Sequence, residues 1–299
     1  MKYIVYILLF FPVWVTAQTY KYIGIEDGLS NRRIFNIQKD AQGYMWFLTN
    51  EGMDRYNGKD IKHYKLNKEG NTLDAPIRLG WLYTEPHIGI WVIGKQGRIF
   101  QYDANKDDFR MVYRLPDTSE TISCGYLDRN NNIWLCRKDT VLLYNIKDAR
   151  IFQFPNVLHS SITAIEQVDE HHFFIATEAG VRYVKQENNV LEIIPVETLD
   201  YFHAQVSELY FHQQLKRLFI GSFERGLFVY DTNTQEIIRP DADLSDVNIA
   251  RISPLNETEL LIATEGMGVY KVDVNTCKLE HYIVACLLYT SPSPRDRTR

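Results

Sequence analysis

The sequence predicts an all-β fold, a β-propeller of four-stranded blades, and three observations lead to that prediction. A unit of 40–45 residues recurs six times along the chain. Each unit consists of short apolar segments separated by turn residues, which is typical of the four strands of one propeller blade. No sustained apolar period of 3.6 residues occurs between residues 18 and 285, so we expect almost no helix there.

The composition supports a folded, strand-rich protein. Of the 299 residues, 45% are hydrophobic and 24% are charged, as in globular domains, and the 13% of aromatic residues favours strands. The net charge of -5 argues against nucleic acid as a partner, because phosphate binding needs a basic surface. The chain lacks the P-loop, G-x-S-x-G, H-E-x-x-H and G-x-G-x-x-G patterns. We therefore predict no cofactor, no metal site and no catalytic residue.

Residues 1–17 have the pattern of a cleaved secretory signal peptide. Lys2 precedes an uncharged apolar run, and Val15 and Ala17 are the small residues expected just before a cleavage site. A membrane anchor is the alternative, but a span needs about 20 apolar residues. We expect an exported protein whose propeller occupies residues 18–285.

Residues 286–299 differ in composition from everything before them. They contain Pro292, Pro294 and three arginines, and they resemble the in-frame translation of a sequencing adapter. A natural basic tail is the alternative. We expect this segment to be non-native and the natural protein to continue beyond Ala285.

Each unit carries a bulky anchor residue early in its second strand. A single blade cannot bury its own faces, so we expect the anchors to fill the space between neighbouring blades. Burying one aromatic side chain removes roughly 150–250 Å² from water. The anchors are Trp46, Trp91, Trp134, Phe174, Leu218 and Leu261. Six blades fit either a six-bladed ring or, as we favour, an incomplete seven-bladed ring whose last blade would include a strand at residues 20–25.

Two of the four cysteines are placed symmetrically about a predicted turn. Cys124 and Cys136 flank residues 128–132, so a hairpin centred on Asn130 would set them opposite each other. Directly opposed residues lie about 4.5–5.5 Å apart, within the reach of a disulfide, and export permits the bond. Two buried free thiols are the alternative.

The first unit carries the most specific motif in the chain. An acidic-Gly-Leu-Ser opening is followed by D-x-x-G-x-x-W-x-x-T-x-x-G-x-x-R-Y-x-G, and this resembles the two-component regulator propeller family. The matching residues are Glu26, Asp27, Gly28, Leu29, Ser30, Asp40, Gly43, Trp46, Thr49, Gly52, Arg55, Tyr56 and Gly58. Later units depart from the motif, since Phe174, Leu218 and Leu261 replace its tryptophan.

The resemblance implies the sensor region of a hybrid two-component system. In that family, propellers precede a transmembrane helix and a histidine kinase, and the exported part senses oligosaccharides. It therefore implies a periplasmic segment of an inner-membrane protein. The implied partners are a glycan fragment or other small ligand, a second propeller, the remaining domains of the parent and a second copy in a homodimer. No kinase motif occurs in the 299 residues, so we predict that this segment is not an enzyme.

Ligand-binding residues of a propeller lie on the loops that its rigid blades support. Loops between second and third strands, and connections from a fourth strand to the next blade, share one face of the ring. The basic residues that we predict there are Arg78, Lys95, Arg137, Lys138 and Arg225. Ordinary surface charge is the alternative for these cations. The alternative function is a secreted propeller-fold glycosidase or lyase, which would need paired carboxylates in a central pocket.

Overall fold

The computed structural model describes residues 21–66, 79–117, 120–240 and 244–283. These residues form six four-stranded antiparallel sheets, each with its strands in chain order, so the predicted six propeller blades are confirmed. Helix is nearly absent from the described residues, as expected: a 3-10 turn at Ile25–Asp27 and the short α1 at Glu197–Asp200. The strand predicted at residues 20–25 is wrong over its described part, because residues 21–24 form no strand.

The blades follow one another along the chain. Blades one to three contain β1 Ile34–Lys39, β2 Met45–Thr49, β3 Met53–Tyr56, β4 Ile61–Tyr64, β5 Leu79–Glu85, β6 Gly89–Gly94, β7 Arg98–Asp103, β8 Asp108–Arg114, β9 Cys124–Leu127, β10 Asn132–Cys136, β11 Thr140–Asn145 and β12 Arg150–Pro155. Blades four to six contain β13 Ile162–Gln167, β14 His172–Thr177, β15 Gly180–Glu187, β16 Val190–Ile194, β17 Val206–His212, β18 Arg217–Ser222, β19 Gly226–Asp231, β20 Glu236–Ile238, β21 Ile249–Pro254, β22 Glu259–Thr264, β23 Gly268–Asp273 and β24 Leu279–Ile283. The first strands of consecutive blades pack side by side, which places them around the centre of the propeller.

The core consists of hydrophobic clusters between consecutive blades. Trp46, Trp91 and Trp134 are at most 2% exposed, and each contributes to the cluster shared with the following blade. These three anchors and Phe174 therefore act between blades, as the sequence predicts, whereas Leu261 is partly exposed and belongs to none of these clusters. In the fifth blade the side chain in this position is Phe219, which packs toward blade six, whereas the predicted Leu218 packs toward blade four.

The D-x-x-G-x-x-W motif of the first blade has a direct physical explanation. One carboxylate oxygen of Asp40 accepts hydrogen bonds from the backbone N–H groups of Gln42 and Tyr44, at 3.0 and 2.9 Å. The other accepts the indole N–H of Trp46 at 2.7 Å. In blade three Asp128 similarly accepts the indole N–H of Trp134 at 2.9 Å. The aspartate thus holds the first turn and satisfies the one polar atom of the buried anchor.

The T-x-x-G part of the motif forms the turn between the second and third strands. Gly52 has φ 138°, and a Cβ there would lie 2.3 Å from the carbonyl oxygen of Tyr64, so only glycine fits. The hydroxyl of Thr49 donates to the Gly52 carbonyl at 3.2 Å, and Thr177 donates to Gly180 in the same way in blade four. Gly52 and Gly180 therefore serve the same turn in blades one and four.

The register predicted for the cysteine hairpin is confirmed. Cys124 and Cys136 are directly opposed in the pairing of β9 with β10. Both side chains are buried as free thiols in the cluster between blades three and four, where burial raises the pKa of the Cys136 thiol. The disulfide between them remains a prediction.

Titration of thiols tests that bond. In the oxidised, exported protein we expect two of the four cysteines to react after denaturation without reductant, and all four after reduction. Cys124→Ser should raise the unreduced count by one, because its partner becomes free. Four reactive thiols in the unreduced wild-type protein would contradict the disulfide.

Replacing an anchor tests the packing between blades. Trp134→Ala should lower the free energy of unfolding by about 3–5 kcal/mol, because it leaves a cavity between two sheets and removes one hydrogen bond to the buried carboxylate of Asp128. Val190→Ala is the control, since Val190 is 59% exposed and its change should stay within about 0.5 kcal/mol. Urea unfolding followed by tryptophan fluorescence measures both, and a loss below about 1 kcal/mol for Trp134→Ala would contradict the anchor role.

Candidate functional site

The two faces of the propeller carry different loops. Because the strands of each blade are antiparallel, turns between second and third strands lie on one face together with the connections between blades. We call this the upper face, and the face with the remaining turns the lower face. Loops on such a scaffold are free to vary in sequence while the sheets hold their positions.

The upper face has a groove between blades four and five. It has a volume of about 440 Å³ and is lined by Glu178, Ala179, His203, Ala204, Gln205, Phe223, Glu224 and Arg225. Three segments supply these residues: the β14–β15 turn, the end of the connection that contains α1, and the β18–β19 turn. The groove is therefore built by two blades at once.

Backbone and side-chain contacts hold these segments together. The Phe223 N–H donates to the carbonyl of Gln205 at 2.9 Å, and the Glu224 N–H donates to the side-chain oxygen of Asn248 at 2.7 Å. The Arg225 guanidinium donates to the carbonyl of His203 on the opposite side of the groove. These bonds fix the groove walls while the carboxylates of Glu178 and Glu224 remain exposed.

The groove contains one residue of the predicted set, Arg225. Lys95, Arg137 and Lys138 also lie in turns of the upper face, but in blades two and three, and they do not line this groove. The side chain of Arg137 contacts the segment between β8 and β9, where it donates to the Asp117 carbonyl at 2.5 Å. Arg78 lies outside the described residues.

On the lower face, a second cavity of about 270 Å³ lies between the first strands of blades four and five. It is lined by Arg129, Glu166, Tyr210, Phe211, His212, Gln213, Gln214 and Glu257. Glu166 of β13 accepts the backbone N–H of Phe211 in β17 at 3.2 Å. On the neighbouring pair of inner strands, Glu208 of β17 pairs with Arg251 of β21 at 3.4 Å.

Both carboxyl groups have raised pKa values. Burial among the inner strands raises the pKa of Glu166 to about 8 and that of Glu208 to about 7. Arg129 and Arg251 act in the opposite direction on Glu166, and the hydrogen bond from Phe211 also favours its charged form. Desolvation dominates, so protonation of Glu166 extends toward neutral pH.

Sequence reasoning missed this pair, although a signal for it exists. Glu166 is paired with the anchor Phe174, in the position that Tyr83 and Tyr126 take opposite Trp91 and Trp134. A carboxylate in a position that tyrosine holds in blades two, three and five becomes visible once the copies are aligned by strand register. Among the described residues, no group of three or more His, Cys, Asp and Glu side chains could hold a metal ion.

The predicted family resemblance is confirmed for the first blade. Residues 28–51 match the family model of the two component regulator propeller. This stretch runs from Gly28 through the Asp40 turn and the Trp46 anchor to the turn before Gly52. Comparison with curated proteins gives no match.

Solved structures with the same fold include extracellular domains of two component systems and a lyase. The extracellular domain of the hybrid two component system BT3049 from B. thetaiotaomicron is 20% identical, with a TM-score of 0.69 over 88% of this chain and 36% of that one. The extracellular domain of the hybrid two component system BT4673 from B. thetaiotaomicron is 19% identical, with a TM-score of 0.65 over 88% of this chain and 34% of that one. Virginiamycin B lyase from Staphylococcus aureus is 14% identical, with a TM-score of 0.65 over 84% of each chain.

These likenesses show the fold, and they allow the length of this chain to be compared with that of its structural neighbours. The chain spans about a third of the extracellular domains that it matches. Within the part of the chain that the structure describes, no helix is long and apolar enough to cross a membrane.

The raised pKa of Glu166 predicts how stability depends on pH. The folded state keeps a proton that the unfolded state loses between an ordinary pKa of 4.5 and about 8, so stability falls as the pH rises through that window. Glu166→Gln should flatten the decline and gain stability over wild type at pH 8–9 relative to pH 5. Melting temperatures across this range measure the effect.

The exposed Glu236→Gln is the control for that measurement, because it removes a carboxyl group without touching the inner strands. It should leave the shape of the profile unchanged. A Glu166→Gln profile parallel to wild type would show that this carboxyl group titrates as an ordinary surface acid.

Proposed function

We propose that this propeller is the extracytoplasmic ligand-sensing part of a two-component signal transduction system, and that its ligand binds in the upper groove between blades four and five. The match of residues 28–51 to the two component regulator propeller supports the first part. The groove itself supports the proposed position of the ligand, because it brings polar side chains from three segments together in one place.

The chemistry of the groove suits an oligosaccharide. A sugar presents an apolar C–H face together with hydroxyl groups that both donate and accept hydrogen bonds. Phe223 offers a half-buried ring, Glu178 and Glu224 offer acceptors, and Gln205 and Arg225 offer donors. Both kinds of contact are therefore available within 440 Å³. Docking of a second propeller on the upper face is the other use of this surface.

This function places the segment in the periplasm, as the exported part of a membrane-anchored parent. Binding would be passed to the remaining domains of the parent, a histidine kinase in this proposal, directly or through a homodimer. The segment itself would then act by recognition and carry no catalytic residue.

The pair Glu166 and Glu208 is the one observation that favours the alternative, a secreted carbohydrate-active glycosidase or lyase. A glycosidase uses two carboxyl groups, of which one has a raised pKa and acts as the acid while the other stays ionised. The raised pKa of Glu166 fits the first of these roles. Each carboxyl group of the pair already has a structural partner, however: Glu166 accepts the Phe211 N–H, and Glu208 pairs with Arg251. These bonds join neighbouring blades, so we prefer the sensor function.

Thermal-shift measurements with oligosaccharides of defined composition, combined with analysis of the sugar products, separate the two functions. A sensor ligand at 100 times its Kd should stabilise the fold by about 2.7 kcal/mol, which corresponds to a rise in Tm of about 5–10 °C, without any cleavage. Cleavage abolished by Glu166→Gln would instead establish the enzyme.

Variants of the groove locate the binding site. Phe223→Ala and Arg225→Ala should each abolish most of the ligand-induced rise in Tm, whatever their effect on the unliganded protein. Arg150→Ala is the matched control, since Arg150 is an exposed arginine on the outer strand β12 of blade three. An undiminished shift in both groove variants would place the ligand elsewhere.

A further inference from the structure

A single carboxylate joins the outer strands of blades one and two. Asp107, in the β7–β8 turn of blade two, accepts hydrogen bonds from Arg55 at 2.9 Å and Lys62 at 2.5 Å, which both belong to blade one. It also accepts the hydroxyl of Tyr64 at 2.7 Å and that of Tyr102 at 2.5 Å. Hydrogen bonds from Lys62 and Tyr102 contribute most to holding the pKa of Asp107 well below its usual range. This interface is therefore built around one negative charge.

The next interface, between blades two and three, repeats these positions without the carboxylate. Asp107 and Ala149 each stand directly before the fourth strand of their blade, with φ of 47° and 54°. The other equivalences follow from the pairing of the strands. The residues that repeat Trp46, Arg55, Lys62 and Tyr102 are, in that order, Trp91, Gln101, Arg110 and Tyr144. Alanine thus stands where the first interface has its acid.

A groove on the lower face lies where Asp107 would stand if the second interface repeated the first. It has a volume of about 460 Å³ and is lined by all five residues that repeat the first interface, together with Met111, Val112 and Ile146. We call it the second-interface groove. The methyl group of Ala149 does not fill it, so the position of the missing carboxylate is open to solvent.

The donors of the second-interface groove remain, although their acceptor is missing. Arg110 donates to the side-chain oxygen of Gln101 at 2.6 Å and pairs with no carboxylate among the described residues. Tyr144 is only 4% exposed, and within the described part of the chain its hydroxyl has no hydrogen-bond partner. Burial raises the pKa of Tyr144 against the opposite effect of the nearby Arg110, so the hydroxyl keeps its proton at neutral pH. None of the eight lining residues is acidic.

The other interfaces show that the fold does not require a cation at the position of Arg110. At the next three pairs of blades the equivalent residues are apolar, namely Phe152, Ile194 and Ile238. At the first pair the equivalent Lys62 has its acid opposite. Among the five interfaces between consecutive blades in the described residues, a cation at this position without a facing carboxylate therefore occurs only at the second.

We propose that the second-interface groove is a binding site for a small organic carboxylate, which takes the position that Asp107 takes at the first interface. The carboxylate accepts hydrogen bonds from the Arg110 guanidinium, the Tyr144 hydroxyl and the amide nitrogen of Gln101. Hydrogen bonds in which one or both partners are charged are stronger than neutral ones. The rest of the ligand lies against the apolar part of the groove lining.

The chemistry of the groove favours this ligand over an inorganic phosphate. A phosphate group carries roughly two negative charges at neutral pH, whereas Arg110 is the one cation that lines the groove. The apolar side chains of Met111, Val112 and Ile146 offer a hydrated phosphate nothing. An acid with one carboxylate and an aromatic or aliphatic body matches both the single charge and the apolar wall.

A carboxylate tethered to the chain tests the donors without a free ligand. Ala149→Asp should restore the arrangement around Asp107, while Ala149→Asn has the same size and a similar tolerance of positive φ but no charge. At pH 7 we expect the aspartate variant to melt at least about 2 °C above the asparagine variant. In an Arg110→Gln background this difference should disappear. Equal melting temperatures, or a difference that survives Arg110→Gln, would overturn the proposal.

Benzoate and its neutral analogue benzamide test binding directly, by saturation-transfer NMR on the 299-residue chain. The wild-type protein should bind benzoate saturably, and Arg110→Gln should weaken binding at least about tenfold because it removes a charged donor. Ala149→Asp should block binding by filling the site. Arg114→Gln is the matched control, since Arg114 is an exposed arginine at the other end of the same strand, β8, and its loss should change nothing.

The contrary outcomes of the NMR experiment are equally clear. Absence of saturable benzoate binding, equal binding of benzamide, or unchanged affinity in Arg110→Gln would each overturn the proposal, even where Ala149→Asp stabilises the fold. The second-interface groove lies on the lower face between blades two and three, away from the upper groove between blades four and five. Failure here therefore leaves the sensing function to its own test.

Discussion

A sheet of four strands has two faces, and the whole structure depends on covering both. Side chains alternate between the faces of a strand, so Trp46 and Leu48 point to blade two while Phe47 points the other way. Each blade thus carries two apolar surfaces of different composition. Neither surface is buried within its own sheet, and the order of the blades follows because each is tethered next to the one before it.

Hydrogen bonds between the inner strands fix how neighbouring blades are aligned with one another. Tyr83 donates to the Gly125 carbonyl at 2.8 Å, Tyr126 accepts the Gln167 N–H at 3.1 Å, and Glu166 accepts the Phe211 N–H at 3.2 Å. Each bond joins one blade to the next at the same level of the sheet. Apolar packing tolerates sliding, whereas a hydrogen bond does not, so these bonds set the height of neighbouring blades and hence of the upper loops.

How far the sequence could predict the structure depends on how local each feature is. The blade repeat and the opposition of Cys124 to Cys136 follow from residues close in the chain, and the structure confirms them. The sequence predicts Leu218 as the fifth anchor, where the structure has Phe219. Both residues are hydrophobic and both are fully buried, one on each face of the sheet, so hydrophobicity alone could not set the register. The groove around Arg225 needs segments from two blades, which no spacing within one copy reveals.

The position of the groove at a junction between blades matters for the proposed sensing function. A ligand that contacts Glu178 and Arg225 at once touches both blade four and blade five, so its binding energy depends on their relative position. Sheets that are packed rigidly through Phe174 and Phe211, whose ring centres lie 5.7 Å apart, cannot absorb a change of position locally. A ligand that prefers one arrangement of the two blades therefore biases the whole body, and only such a differential preference can carry a signal from the loops to whatever the propeller contacts.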